Sequence, residues 1–151
     1  RDLVAMVAHA SIHVQQTGFP FDEFFPLLKH QQLTLYNMAI LEGSCDYVTR
    51  MVLGLNINEN IYEYGMLHEC DLYNEFLKSG ELDAFDYSGW LYNGNIVKDK
   101  PADLGYFIGL KITEAYFKNE PNSKKAYNTI FKRGKYKKVM RIAAYQPVGC
   151  S

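Results

Sequence analysis

The chain has 151 residues, 48% apolar and 15% aromatic, enough for one domain with a sizeable core and too apolar for a disordered chain. Its 16 Lys and Arg against 17 Asp and Glu leave a formal charge of −1, which excludes a surface basic all over and built for a polyanion. No run approaches the roughly 18 apolar residues that span a bilayer.

Charge is nevertheless uneven. Lys124, Lys125, Lys132, Arg133, Lys135, Lys137, Lys138 and Arg141 crowd the C-terminal stretch, which reads first as a solvated helix face. No nucleic-acid partner is expected. Cys45, Cys70 and Cys150 are an odd number without close spacing and read as small buried hydrophobes, requiring no particular redox compartment.

In chain order, the apolar run Leu3 to Ala8 opens a buried helix expected from about Asp2 to Gln16, with Gly18 stopping it. Phe19-Pro20 breaks the chain, and Asp22 caps a short helix halted near Pro26. A long helix is expected from about Gln31 to Leu53, closed by Gly54, and a third from about Glu59 to Lys78, capped by Asn58 and ended by Gly80. Residues 80 to 100, rich in turn formers and aromatics around Trp90, read as an ordered loop or short hairpin over a cleft.

Pro101 then starts a fourth helix running to about Lys118. Gly105 and Gly109 share one of its faces at a cost in helix propensity, which predicts close approach of another backbone. Asn122-Ser123 begins a helix to about Lys132, Gly134 breaks it, and a last helix covers Tyr136 to Ile142. The fold class expected is mostly α, one domain over residues 1–151.

The chemistry centres on His9 and His13. Four apart on a helix, they project from one face, the spacing that offers two imidazole nitrogens to one zinc ion. In the common His-Glu-x-x-His pattern a glutamate follows the first histidine as general base; here that position is Ala10. Glu42 and Asp46 are likewise four apart, on a helix of apolar neighbours where unpaired carboxylates are costly. Glu42 suits the role of third ligand. Asp46, one turn on, suits the role of acceptor for a histidine ring N–H. Either pair alone arises often by chance, whereas both in this order are far more specific. Three protein ligands leave the fourth position of a catalytic zinc site open. Tyr92 and Tyr106 are candidate hydrogen-bond donors to an oxyanion. His68 and Glu69 read as a solvated face, with Glu69 the one nameable surrogate base, and His30 as a loop or cap residue.

Val7-Ala8-His9-x-x-x-His13-x-Gln15-Gln16, Leu41-Glu42-Gly43-Ser44-x-Asp46, Trp90-Leu91-Tyr92-Asn93-Gly94 and Asp103-Leu104-Gly105-Tyr106-Phe107-Ile108-Gly109 together resemble a bacterial family. It is that of the predicted zinc-dependent proteases related to the gliding-motility lipoprotein GldB, and the likeness extends over most of the chain. The resemblance implies a helical zincin-like metallopeptidase domain of the gluzincin kind, with His9, His13 and Glu42 as zinc ligands, Asp46 behind them, and a peptide or protein substrate. It implies an extracytoplasmic, membrane-anchored setting. The anchor and the sheet that zincins place before the histidine helix would then precede Arg1, making this the C-terminal, metal-bearing portion. Ala10 departs from the pattern at the catalytic glutamate. That predicts either an impaired peptidase or a non-catalytic binding or scaffold domain of the cell envelope.

Overall fold

The computed structural model describes residues 3–16, 34–79, 89–94, 98–132 and 134–150. Among them are seven helices and no strand, in the order α1 (Leu3–Gln15), α2 (Leu35–Leu53), α3 (Glu59–Leu67), α4 (Glu69–Ser79), α5 (Leu104–Asn119), α6 (Ser123–Ile130) and α7 (Tyr136–Ala143). The chain is mostly helical, and no described helix is long and apolar enough to cross a membrane.

The core is the crossing of α2 and α5, the most extensive helix contact among the described residues. Its closeness is set by glycines. A Cβ on Gly109 would lie 1.7 Å from the Ala39 carbonyl oxygen, and one on Gly43 would lie 2.2 Å from the Gly109 carbonyl carbon. The propensity cost at Gly109 therefore does mark backbone approaching backbone, and Gly43 is its partner on α2. Gly105 faces elsewhere: a Cβ there would meet Leu91 and the Trp90 carbonyl oxygen, which accepts the Gly105 N–H at 2.9 Å. Leu35, Ala39, Ile108, Ile112, Tyr116 and Phe76 fill the centre around this crossing.

Helix ends follow local chemistry, with departures from the sequence reading. Thr34 caps α2 through its side chain, which accepts the Asn37 N–H, and Gly54 closes it at φ 71° with its N–H on the Arg50 carbonyl. Asn122 caps α6 in the same way, accepting the Lys125 N–H. The single helix expected over Glu59 to Lys78 is two. His68 leaves helical geometry at φ −120°, and its N–H turns back to the Tyr64 and Gly65 carbonyls. Asn58 stands at the cap position of α3 but makes no side-chain cap; its amide donates to Asp46 instead, at 3.4 Å. Pro101 lies ahead of α5 rather than in its first turn, because Asp103 enters the left-handed region at φ 63° and the helix begins at Leu104.

Helix α1 is not buried as its apolar run predicts. Only Ala5 is fully covered, while Leu3, Val7 and Val14 stand exposed, because among the described residues α1 has one extensive helix neighbour, α2. The cysteine reading is also corrected. Cys45 is free and buried, but Cys70 and Cys150 form a disulfide that ties the C-terminal segment to α4 across 80 residues of sequence. Thiols that far apart leave no spacing signal. The expected cap at Asp22, the short helix near Pro26, His30, the Gln31 start and the Gly80 stop lie outside the described residues.

Candidate metal centre

Helix α1 lies along α2 so that the His9 and His13 face meets the Glu42 and Asp46 face. Three donor atoms converge. His13 Nε2 is 3.0 Å from Glu42 Oε2 and 3.0 Å from His9 Nε2, and His9 Nε2 is 3.3 Å from the same carboxylate oxygen. Donors around one tetrahedral zinc at about 2.0–2.1 Å stand roughly 3.3 Å apart. The three atoms are therefore spaced as the face of such a tetrahedron, and two nitrogens with one oxygen suit zinc.

What lies behind the rings fixes which nitrogen faces inward. His9 Nδ1 donates to Asp46 Oδ1 at 2.7 Å, and His13 Nδ1 donates to Gln16 Oε1 at 2.8 Å. With both Nδ1 atoms bearing the proton, both Nε2 lone pairs point at the common centre. Gln16 is buried and cannot turn. Its amide nitrogen donates to the Leu41 carbonyl at 3.1 Å, to Ser44 Oγ at 3.2 Å and to Cys45 Sγ at 3.3 Å, so its oxygen must face His13. The sequence reading gave Gln16 no role. Its position three residues after His13, at the end of the helix, was the available signal.

Cys45 Sγ lies within 4.8 Å of a nitrogen of each ring, which makes His9, His13 and Cys45 a second three-donor group. Glu42 is the better third donor. Its oxygen already stands at tetrahedral spacing from both nitrogens, while Cys45 Sγ is occupied by the Gln16 amide.

Two tyrosines rim the site. Tyr92, held at φ 56° in the loop before α5, donates its O–H to Glu42 Oε1 at 2.5 Å. Tyr106, on α5, lies over the His9 ring at 6.2 Å between centroids and 27° between planes. Electrostatics reflect the crowding. Burial disfavours a charged His9, but the hydrogen bonds and charges of Asp46 and Glu42 outweigh it and lift the imidazole to about 9. Burial also pushes Glu42 upward, yet hydrogen bonds from His13, His9 and Tyr92 prevail and hold its carboxyl well below the usual range. Burial, and then the Glu42 carboxylate, keeps the Tyr106 phenol protonated far beyond its ordinary value.

The remaining candidates fall elsewhere. Ala10 is exposed beside His9. Glu69 pairs with Lys111 at 3.2 Å and accepts from Tyr145, and His68 stacks on Tyr64 at 4.3 Å. Neither is among the partners of the histidine pair, and Glu69 is committed to other charges.

No family model, curated protein or solved structure matches the chain.

Proposed function

We propose that this chain is a zinc-metallopeptidase-like domain of the GldB-related kind that its motifs resemble. Its zinc ligands are His9, His13 and Glu42, with Asp46 and Gln16 orienting the two rings. The observation that carries the reading is the convergence of both Nε2 atoms on Glu42 Oε2 while each Nδ1 is anchored to an oxygen. Two imidazoles and a carboxylate gathered without a cation would otherwise leave lone pairs facing one another at about 3 Å, which only protonation relieves.

Zinc bound there supplies Lewis acidity, lowering the pKa of water and polarising a substrate carbonyl. The chain's own residues do the rest. Asp46 and Gln16 hold the tautomers, Tyr92 fixes the orientation of Glu42, and Tyr106 keeps its phenol proton available as a donor beside the site. Among the described residues, none beyond the ligand set is placed to take a proton from water and deliver it to the leaving amine. Ala10 stands where the pattern has its glutamate, and Glu69 is engaged elsewhere. General acid–base catalysis contributes roughly 10²- to 10⁴-fold, so the domain as written is a weak or silent peptidase with zinc retained.

The same observation favours a second reading, a non-catalytic binding or scaffold domain of the bacterial envelope. An extracytoplasmic setting is supported by the Cys70–Cys150 disulfide, a bond that persists in oxidising compartments.

Elemental analysis is expected to find one zinc per chain. Ala10→Glu, tested beside the unaltered protein on denatured protein and peptide substrates, is expected to raise hydrolysis by about 10²-fold or more. A glutamate variant that takes up zinc and cleaves nothing leaves the scaffold reading standing; a protein that takes up no zinc overturns both the ligand set and the peptidase frame.

A further inference from the structure

The basic C-terminal stretch is not an even coat of charge. Lys124 and Lys125 on α6, Lys132 just beyond its end, and Lys135 and Lys138 at the start of α7 line one cavity of about 430 Å³. Among the described residues, no acidic, aromatic or arginine side chain lines it. Lys125 is paired with Glu120 at 2.8 Å and the Lys138 charge acts on the same carboxylate, which leaves Lys124, Lys132 and Lys135 around the space without an acidic partner among those contacts. Like charges so grouped repel one another, and the fold holds them together only at a cost. Helix polarity adds to that cost, since α6 and α7 have lysines and no acidic residue in their first turns, where the positive helix end faces them.

The lining selects among anions. An ammonium is a point-charge binder of phosphate, and several around one cavity need an anion that concentrates charge in a small volume. Carboxylate ligands spread single charges, and single-stranded nucleic acid calls for aromatic platforms that the lining lacks. The Asn122 and Asn128 amides supply further polar groups at the wall, and the volume is that of a small-ligand site. We propose that the cavity between α6 and α7 binds a ligand carrying two or more closely spaced phosphates. The site shares no residue with the histidine centre and stands whether or not that centre holds zinc.

Calorimetric titration of the full chain with tripolyphosphate is expected to show saturable one-to-one binding. It should weaken about tenfold or more between low and physiological salt, as ammonium–phosphate contacts do. Lys132→Glu with Lys135→Glu is expected to lower affinity at least about tenfold, while Lys78→Glu with Lys98→Glu, an equal change of charge on other exposed surfaces, leaves it within about twofold. Thermal melts of both double variants check that the fold persists. Chelator-stripped protein is expected to bind equally well; binding that vanishes on stripping belongs to a metal and overturns the proposal, as does equal loss in the two double variants. Sedimentation with vesicles containing cardiolipin, whose headgroup carries two phosphates, distinguishes the source of the phosphates. Binding to vesicles that tripolyphosphate displaces assigns the site to a lipid headgroup, and tripolyphosphate binding without vesicle binding assigns it to a soluble ligand. Vesicle binding without tripolyphosphate binding, or neither, overturns it.

Discussion

Glu42 and Glu69 are both shielded carboxylates that accept a tyrosine O–H, and the two differ in what supplies the positive charge. Glu69 faces the Lys111 ammonium and Tyr145, and its chain neighbour Cys70 is cross-linked to Cys150. Tyr73 closes the cluster by donating to the Tyr145 carbonyl at 2.6 Å. The positive partner of Glu69 is a lysine ammonium, not an imidazole. Glu42 faces two imidazoles and Tyr92, and its positive charge exists only while a histidine carries a second proton. A carboxylate compensated by a fixed cation belongs to the architecture. One compensated by groups that can exchange a proton for a metal is poised for a ligand.

The comparison breaks most sharply at the disulfide. Removing it with Cys70→Ser and Cys150→Ser frees a loop of 80 residues. Loop-closure entropy puts the cost at about 4.5 kcal/mol. Chemical denaturation is expected to show that loss, and zinc affinity is expected to stay unchanged. Loss of zinc binding in this variant would mean that the two regions are one energetic unit.

Glu42→Gln comes next. It keeps the shape and removes the negative charge, and zinc affinity is expected to fall by more than the 10- to 100-fold typical of an outer-shell partner. Glu69→Gln, the matching change in the other cluster, leaves zinc affinity within about twofold and lowers stability alone, by about 1–3 kcal/mol, since the Lys111 charge loses its main partner. Asp46→Asn tests the layer behind the proposed metal ligands. It removes the acceptor that fixes the His9 tautomer, with an expected loss of about 10- to 100-fold in affinity. Retained affinity in Asp46→Asn would show that the His9 ring is held by packing on Tyr106 rather than by its hydrogen bond.

How much of this is legible in the sequence differs by kind of interaction. Local spacing carries well. His9 with His13, Glu42 with Asp46, and the glycine at 109 are intra-helical patterns, and the helix periodicity places each set on a face. Caps written into one residue are equally readable at Gly54 and Asn122. What spacing does not carry is competition between partners. Asn58 has the right identity for a cap, and its amide goes to Asp46 instead. His68 sits within a periodic apolar pattern that gives no hint of a break. Gln16 becomes an orienting group only because Leu41, Ser44 and Cys45 of another helix bind its amide nitrogen. The disulfide and the lysine-lined cavity depend on segments meeting in space, for which composition supplies no register. The exposed face of α1 is the opposite case: an apolar run predicts burial, yet burial needs a neighbour, and among the described residues only α2 packs extensively there.

The smallest expected effect is the most discriminating, because it reverses sign with the metal. In the metal-free protein His9 is raised from its usual 6.5 to about 9, so its share of stability is fully present below about 6.5 and is lost as pH rises toward 9. Glu42 is lowered from 4.5, so its share is present above 4.5 and is lost as pH falls below it. The metal-free protein should therefore be most stable between about 4.5 and 6.5. Zinc competes with the proton for the inward histidine nitrogens, and its binding releases protons, so added zinc should stabilise increasingly as pH rises from 6 to 8. Melting curves across that range, with chelator and with zinc, are expected to diverge upward in pH. Both curves falling together above pH 6.5 would show that the imidazole pair binds no metal and that the Glu42 cluster is architecture, like the one around Glu69.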